Sequence, residues 1–309
     1  MQYDAIIVGG GPAGLSAALV LGRCRRKVLV CDSGHPRNER SGGVHGYFTR
    51  DCIDPGEMLR IGREQLAPYG VEFRHCVVAD VVRDGDAFRV CLEEGVELSA
   101  RRVLIATGVR DKLPEIPGFD EMFGKSVHHC PYCDGWEWRD HPVAVYARRN
   151  TGFGMALALR TTWNEDVALL TDGPAELKRE QREELRRFNV IVRQERIERL
   201  EGDDGMLQRV VFKKGEPLPR SAIFVNTGFN QRCDIAGNLG CLLNSKGTFV
   251  ADKHEQTNIT GVYVAGDASR DVQMVIVAAA EGVKAAKAIN EDLQRETREQ
   301  WRKSAVGDS

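Results

Sequence analysis

No stretch of this 309-residue chain approaches the roughly 20 apolar residues that a membrane-spanning helix needs. The start offers no cationic leader, apolar core and cleavage site either, because residues 1–8 run straight into a β-prone segment. A surplus of one charge is missing too: 43 Lys and Arg against 45 Asp and Glu leave a formal −2. That balance gives no electrostatic case for nucleic acid or an anionic membrane as partner. The Arg-rich runs at 23–27 and 179–187 read as solvated helix faces. The nine cysteines are odd in number and scattered, which is not the pattern of a secreted disulfide framework. A cytoplasmic, reducing setting is expected, in which a disulfide is catalytic rather than structural.

Against these absences stands one concentrated feature, Cys130-Pro131-Tyr132-Cys133-Asp134-Gly135, preceded by His128 and His129. Two thiols one turn apart at a helix start can keep one sulfur as thiolate, because the helix dipole and a nearby imidazolium favour negative charge. The pair could instead be two small buried hydrophobes, or half of a zinc site with His128 or His129 as third ligand. Zinc usually needs a second ligand pair, and Cys24, Cys31, Cys52, Cys76, Cys91, Cys233 and Cys241 supply none at matching spacing. A redox dithiol is the preferred reading, and no metal site is expected.

The amino-terminal stretch supplies the dithiol with context. A β-prone run at 3–8 leads into Gly9-Gly10-Gly11-Pro12-Ala13-Gly14 and a helical segment at 15–21. In this strand–turn–helix setting Gly9 permits the tight turn, Gly11 lets backbone amides approach a pyrophosphate, and Gly14 lets the helix pack on the strand. A second strand at 27–31 ends at Asp32, where an acid can accept hydrogen bonds from an adenine-dinucleotide ribose. The polar, Gly-rich segment 33–50, with Arg37, Asn38 and His45, suits a loop lying along a cofactor. A helix at 55–69 and strands at 71–82, 87–92 and 96–106 follow, the last ending in Ala106-Thr107-Gly108, small enough for close approach to a ligand.

Residues 113–118 have linker character, and the plan then repeats. Strands are expected at 141–147, 167–171, 190–200, 207–213 and 222–226, with helices at 150–163 and 175–188. A strand at 261–267 ends in Gly266-Asp267, and a long helix spans 272–301 before a polar, mobile tail at 302–309. Trp301 is expected to pack that helix, or to cap a flavin face. Trp136 and Trp138 suit either a docking surface or the core.

With the glycine turn, Ala106-Thr107-Gly108, the dithiol and Val264-Ala265-Gly266-Asp267 in this order, the chain resembles the low-molecular-weight thioredoxin reductases over nearly its whole length. The resemblance implies an α/β fold of two Rossmann-like dinucleotide-binding domains, the second inserted in the first. Residues 1–112 and 229–309 would form the FAD-binding domain and 113–228 the central domain carrying the dithiol. It further implies a homodimer. Cys133 would face the flavin, Cys130 would exchange with a substrate disulfide, and Asp134 would relay protons. Gly9, Gly11, Pro12, Ala13, Gly14, Asp32, His45, Val78, Ala106, Thr107, Gly108, Gly266, Asp267 and Gln273 would line FAD. His129 could lower the pKa of Cys130.

The second nucleotide-binding unit departs from the family. Members that use NADPH carry a Gly-rich turn where this chain has Ala147-Arg148-Arg149-Asn150-Thr151-Gly152, and a basic cluster where it has Thr171-Asp172-Gly173. Bulky side chains obstruct the pyrophosphate approach, and an acid repels a 2′-phosphate. The expected function is therefore an FAD-dependent disulfide/dithiol oxidoreductase, acting on a protein disulfide such as a thioredoxin-like partner or on a small-molecule disulfide, without conventional use of NADPH. Relatives suggest a ferredoxin, a second flavin in the central domain, or molecular oxygen as the other electron partner; Asp172 would suit a second adenine ribose. An ordinary NADPH enzyme with an atypical site and a non-enzymatic FAD-binding redox sensor are the competing readings.

Overall fold

The computed structural model describes residues 2–269 and 272–307. Two compact units divide the chain: Met1–Arg37, Pro55–Arg110 and Asn230–Ser309 form the first, Asn38–Asp54 and Asp111–Phe229 the second. The segment Asn38–Asp54 thus sits with the second unit, apart from the strands that flank it in sequence.

In the first unit, Glu72–His75, Val28–Asp32, Gln2–Val8 and Glu97–Ile105 lie side by side as parallel strands, and Ala87–Leu92 and Val78–Asp84 extend the sheet antiparallel. The strand Glu97–Ile105 is long enough to serve two neighbours on that side. Its first half pairs with Ala87–Leu92, and Val103 to Ile105 pair in parallel with Val262–Val264. Gln2–Val8 is apolar on both faces because both are covered. Ala5 and Ile7 pack with the helices Pro12–Arg23 and Val275–Gly307, whereas Ile6 and Val8 pack with Phe88, Val90 and Ile235. The two helices meet backbone to backbone, since a Cβ on Gly282 would stand 2.0 Å from the Ala13 carbonyl oxygen.

The second unit has its own five-stranded parallel sheet, in the order Ile191–Arg193, Val167–Leu170, Val143–Tyr146, Ala222–Val225, Val127–His128. The helices Phe153–Thr162 and Arg179–Arg187 flank it in sequence. A separate antiparallel sheet of Ile197–Asp203, Met206–Phe212 and Leu218–Pro219 completes the unit. Both units therefore repeat a parallel sheet plus a meander, the repetition expected from sequence.

Several expected elements are divided. The strand expected at 190–200 is two, because the backbone at 194–196 turns aside: Gly173 N–H donates to the Gln194 carbonyl and Ile197 N–H to Asp172 Oδ1. The run 71–82 breaks at 76–77, where pairing changes from parallel to antiparallel. The helix expected at 55–69 ends at Glu64, and the 3₁₀ turn Ala67–Tyr69 carries Pro68, which cannot donate to an α-helical ladder. The tail does not start at 302: the last helix continues to Gly307, and Asp308 and Ser309 lie outside the described residues. Arg270 and Asp271 also lie outside them. Trp301 is 73% exposed, so it does not pack its helix within this chain.

Candidate active site: a dinucleotide cradle and a dithiol

The glycine turn of the first unit is built by contacts that exclude side chains. Gly9 has φ +109°, and a Cβ there would fall 2.3 Å from the Ala106 carbonyl oxygen, so the first glycine locks this turn against the end of Glu97–Ile105. A Cβ on Gly14 would stand 1.9 Å from the Gly9 carbonyl oxygen. Gly11 is different, for nothing lies within 4 Å of its added Cβ. The space left open is the one a pyrophosphate needs at the N-terminus of Pro12–Arg23. Gly10 N–H donates to Asp32 Oδ1 at 3.0 Å, which fixes the acid at the rim of the turn.

Nearby in the same unit, Arg37 gathers two further expected residues, donating to Asp267 Oδ2 at 2.8 Å and Gln273 Oε1 at 2.7 Å. Gly266 N–H donates to the buried Glu281 at 2.8 Å, an anchor that sequence reading missed. An acid on the apolar face of the last helix is the signal that could have found it. Of the other expected residues, Val78 is a core side chain of the meander, and His45 is grouped with the second unit. The remaining cradle, with open space above Gly11 and an acid at the second strand's end, fits an adenine dinucleotide such as FAD.

The dithiol lies at the carboxyl edge of the second unit's parallel sheet, directly after the edge strand Val127–His128. Cys130 and Cys133 form a disulfide with Cα atoms 5.3 Å apart. The helix that follows, Pro131–Asp134, is a single turn, so the macrodipole expected from sequence is reduced to individual amides. Cys133 N–H donates to Cys130 Sγ at 3.1 Å. Gly135 is required by packing, as a Cβ would meet the Pro131 carbonyl oxygen at 2.4 Å and the Trp163 ring at 3.0 Å.

Behind the disulfide runs a buried polar chain. Trp138 Nε1–H can only donate, and it donates to His128 Nε2 at 2.8 Å, which leaves the His128 proton on Nδ1. That nitrogen faces Asp134 Oδ1 at 3.4 Å. His128 is buried, and its ring lies tilted against Phe224 with centroids 5.7 Å apart. It is thus His128 that reaches the acid; the His129 ring lies beside Phe123. The two tryptophans take different roles. Trp138 packs on the unit's core, whereas Trp136 is exposed with the Arg139 guanidinium 4.1 Å over its ring. Tyr132, between the cysteines, is also exposed.

Two buried thiols, Cys31 and Cys241, are poor competitors for exchange. Burial pushes the Cys31 and Cys241 thiols up, with Cys76 adding to the effect at Cys31, and both remain protonated near neutrality.

In the second unit's nucleotide-like turn, Gly152 keeps the helix-packing function, since a Cβ would meet Leu169 at 2.6 Å and Ala147 at 2.7 Å. The pyrophosphate-facing part is altered. Arg149 adopts φ +59° and pairs with Glu176 at 3.7 Å. Asp172 is buried and its carboxylate is occupied: Oδ1 accepts from Ile197 N–H at 3.0 Å, and Oδ2 faces Arg148 at 3.3 Å and Arg196 at 3.5 Å. The Tyr146 hydroxyl, pushed up by burial and by Asp172, stays protonated and donates to Oδ2 at 3.5 Å.

The family model for pyridine nucleotide-disulphide oxidoreductases matches residues 3–282, and this chain belongs to that family. Within it the chain is a thioredoxin reductase-like, flavin-dependent oxidoreductase, a class that implies FAD binding. A probable thioredoxin reductase of Arthroderma benhamiae is 30% identical over 96% of this chain and 82% of its own length. The thioredoxin reductase of Aquifex aeolicus is 29% identical, covering 94% and 93%. The crystal structure of HlmI superposes with TM-score 0.95 at 37% identity, covering 99% of this chain and 97% of that one. Among the described residues, no helix is long and apolar enough to cross a membrane.

Proposed function

We propose that this flavoprotein passes electrons between FAD and the Cys130–Cys133 disulfide, and onward to a protein or small-molecule disulfide, without conventional use of NADPH. The observation that carries the second part is the state of Asp172. Its carboxylate accepts from Ile197 N–H and is paired with Arg148 and Arg196, so the position that should offer a basic phosphate site holds a buried acid that two exposed arginines already neutralise. The same occupancy removes the ribose acceptor on which a second flavin in this unit would rest. Two partners that need no second nucleotide remain: a ferredoxin would run the centre as a reductase, and oxygen would run it as a dithiol oxidase.

FAD, when bound, supplies the two-electron store. The chain's own residues manage sulfur and protons. In the oxidising direction a substrate thiolate attacks Cys130 Sγ, the Cys130–Cys133 bond breaks, and the released Cys133 thiolate is protonated. Attack by the second substrate thiol then frees Cys130 and leaves a substrate disulfide and an enzyme dithiol. The net change is two electrons and two protons taken from the substrate. Asp134 moves the proton, and the His128–Trp138 pair holds its carboxylate in place. Replacing His128 with Gln is expected to lower exchange roughly 10–100-fold and to displace the pH–rate profile. Trp138→Phe, which keeps the ring and deletes the donor, should move the same profile less. A profile unchanged in both variants removes His128 from the mechanism.

The central test is anaerobic stopped-flow mixing of the purified holoprotein with NADPH or NADH while flavin absorbance is followed. The expected result is no bleaching on the timescale of turnover, with one FAD released per protomer on denaturation. Rapid bleaching by NADPH would overturn the proposal.

A further inference from the structure

Arg37 is a cation set among the glycines and acids of the first unit's cradle. It stands five positions after Asp32, and its side chain is only 13% exposed. A single nitrogen, Nη1, donates to both Asp267 Oδ2 and Gln273 Oε1, and Gln273 Nε2 donates to the Asp267 carbonyl at 3.5 Å, so the three residues close a ring. Because Oε1 is the atom that accepts, the orientation of the Gln273 amide is fixed by Arg37. The ring borders the glycine turn. A Cβ on Gly266, the residue before Asp267, would stand 3.1 Å from the Ala13 Cβ at the start of Pro12–Arg23. The chain leading to Arg37 is tied down as well, since the Arg232 guanidinium donates to the His35 carbonyl. The Asp267 side chain is 19% exposed, and an acid drawn this far out of water is unfavourable without a cation beside it. Uncompensated, it would also repel the negatively charged pyrophosphate that the turn is shaped to receive. The Arg37 guanidinium, charged at every working pH, offsets both effects.

We propose that Arg37 is a positioning residue for FAD: it holds the Asp267 carboxylate and the Gln273 amide in their binding arrangement before the cofactor arrives, and it cancels the acid's charge toward the pyrophosphate. Preorganisation of this kind raises affinity because the ordering is complete before binding. The inference rests on FAD occupying the first unit, and the two fail differently. FAD bound elsewhere leaves Gly11→Ala and every Arg37 variant unaffected, whereas a cradle in which Arg37 has no such part loses FAD in Gly11→Ala alone.

The test is fluorescence titration of the full-length apoprotein, stripped of flavin, with FAD, alongside thermal melting of the same apoprotein. Arg37→Gln is expected to raise the Kd for FAD at least ~30-fold, because it leaves a half-desolvated acid unpaired beside the cofactor. Arg37→Lys, which keeps the charge and the donors, should stay within ~10-fold of the unaltered chain. In an Asp267→Asn background the same Arg37→Gln change should cost less than ~5-fold, since the acid it acts through no longer carries charge. A Kd raised less than ~5-fold by Arg37→Gln, or a loss of equal size in both backgrounds, would overturn the proposal. A fall in apoprotein melting temperature large enough to account for the loss of FAD would make Arg37 a fold residue and overturn it too. If Arg37→Gln yields no folded apoprotein, Arg37→Lys decides: a Kd within ~10-fold supports the assignment and a larger loss refutes it.

Discussion

Cys130→Ser and Cys133→Ser are each expected to reduce disulfide exchange at least ~1,000-fold, which corresponds to about 4 kcal/mol of lost transition-state stabilisation. A hydroxyl cannot form or accept the S–S bond on which exchange depends. The fold should survive. Cys130 occupies the cap position before Pro131–Asp134, and its sulfur accepts the Cys133 N–H. Serine is a favoured residue at a cap and can accept the same hydrogen bond. The measurement is turnover of a model dithiol or disulfide by holoprotein with its full complement of FAD. Activity within ~10-fold of the unaltered chain in either variant would show that the pair only switches conformation, the redox-sensor alternative.

The second large effect concerns the cradle. Gly14→Val should lower FAD retention more than ~100-fold and destabilise the first unit, because the new Cβ would lie 1.9 Å from the Gly9 carbonyl oxygen and must move the turn. Gly11→Ala separates ligand from fold. No protein atom lies within 4 Å of its added Cβ, so thermal stability of the apoprotein should hold while FAD affinity falls, as the methyl group enters the space kept for pyrophosphate. Equal FAD affinity in Gly11→Ala and the unaltered chain would place the cofactor elsewhere.

The parts legible in sequence were those governed by local rules. The strand–glycine–helix run at 2–23 could be read because Gly9 and Gly14 are demanded by contacts a few residues away or at the end of a neighbouring strand. The α/β architecture followed from alternation of apolar strands and helices. Less legible were features set by long-range partners. The break at 194–196 depends on Asp172 claiming the Ile197 amide. Asp172 itself read as an open ribose acceptor, since nothing local announces that Arg148 and Arg196 converge on it. At the dithiol, the cysteines and Asp134 carry their spacing in sequence, but the orientation of His128 requires the Trp138 hydrogen bond. His45 read as a cofactor contact from loop composition, and its company of Cys52 and Glu137 appears only in three dimensions.

The strand Glu97–Ile105, shared between an early meander and the late strand Val262–Val264, also governs the order in which the molecule can be made. On the ribosome the first unit emerges with Val103 to Ile105 unpaired on one side, and with the Pro12–Arg23 helix lacking the carboxyl-terminal helix that covers it. The second unit, apart from Asn38–Asp54, is encoded entirely within that interval and can close its own sheet while the first waits. Such non-local closure is slow and leaves apolar surface exposed meanwhile. Truncation before Val262 should therefore yield a chain whose second unit is protected from proteolysis while its first is not.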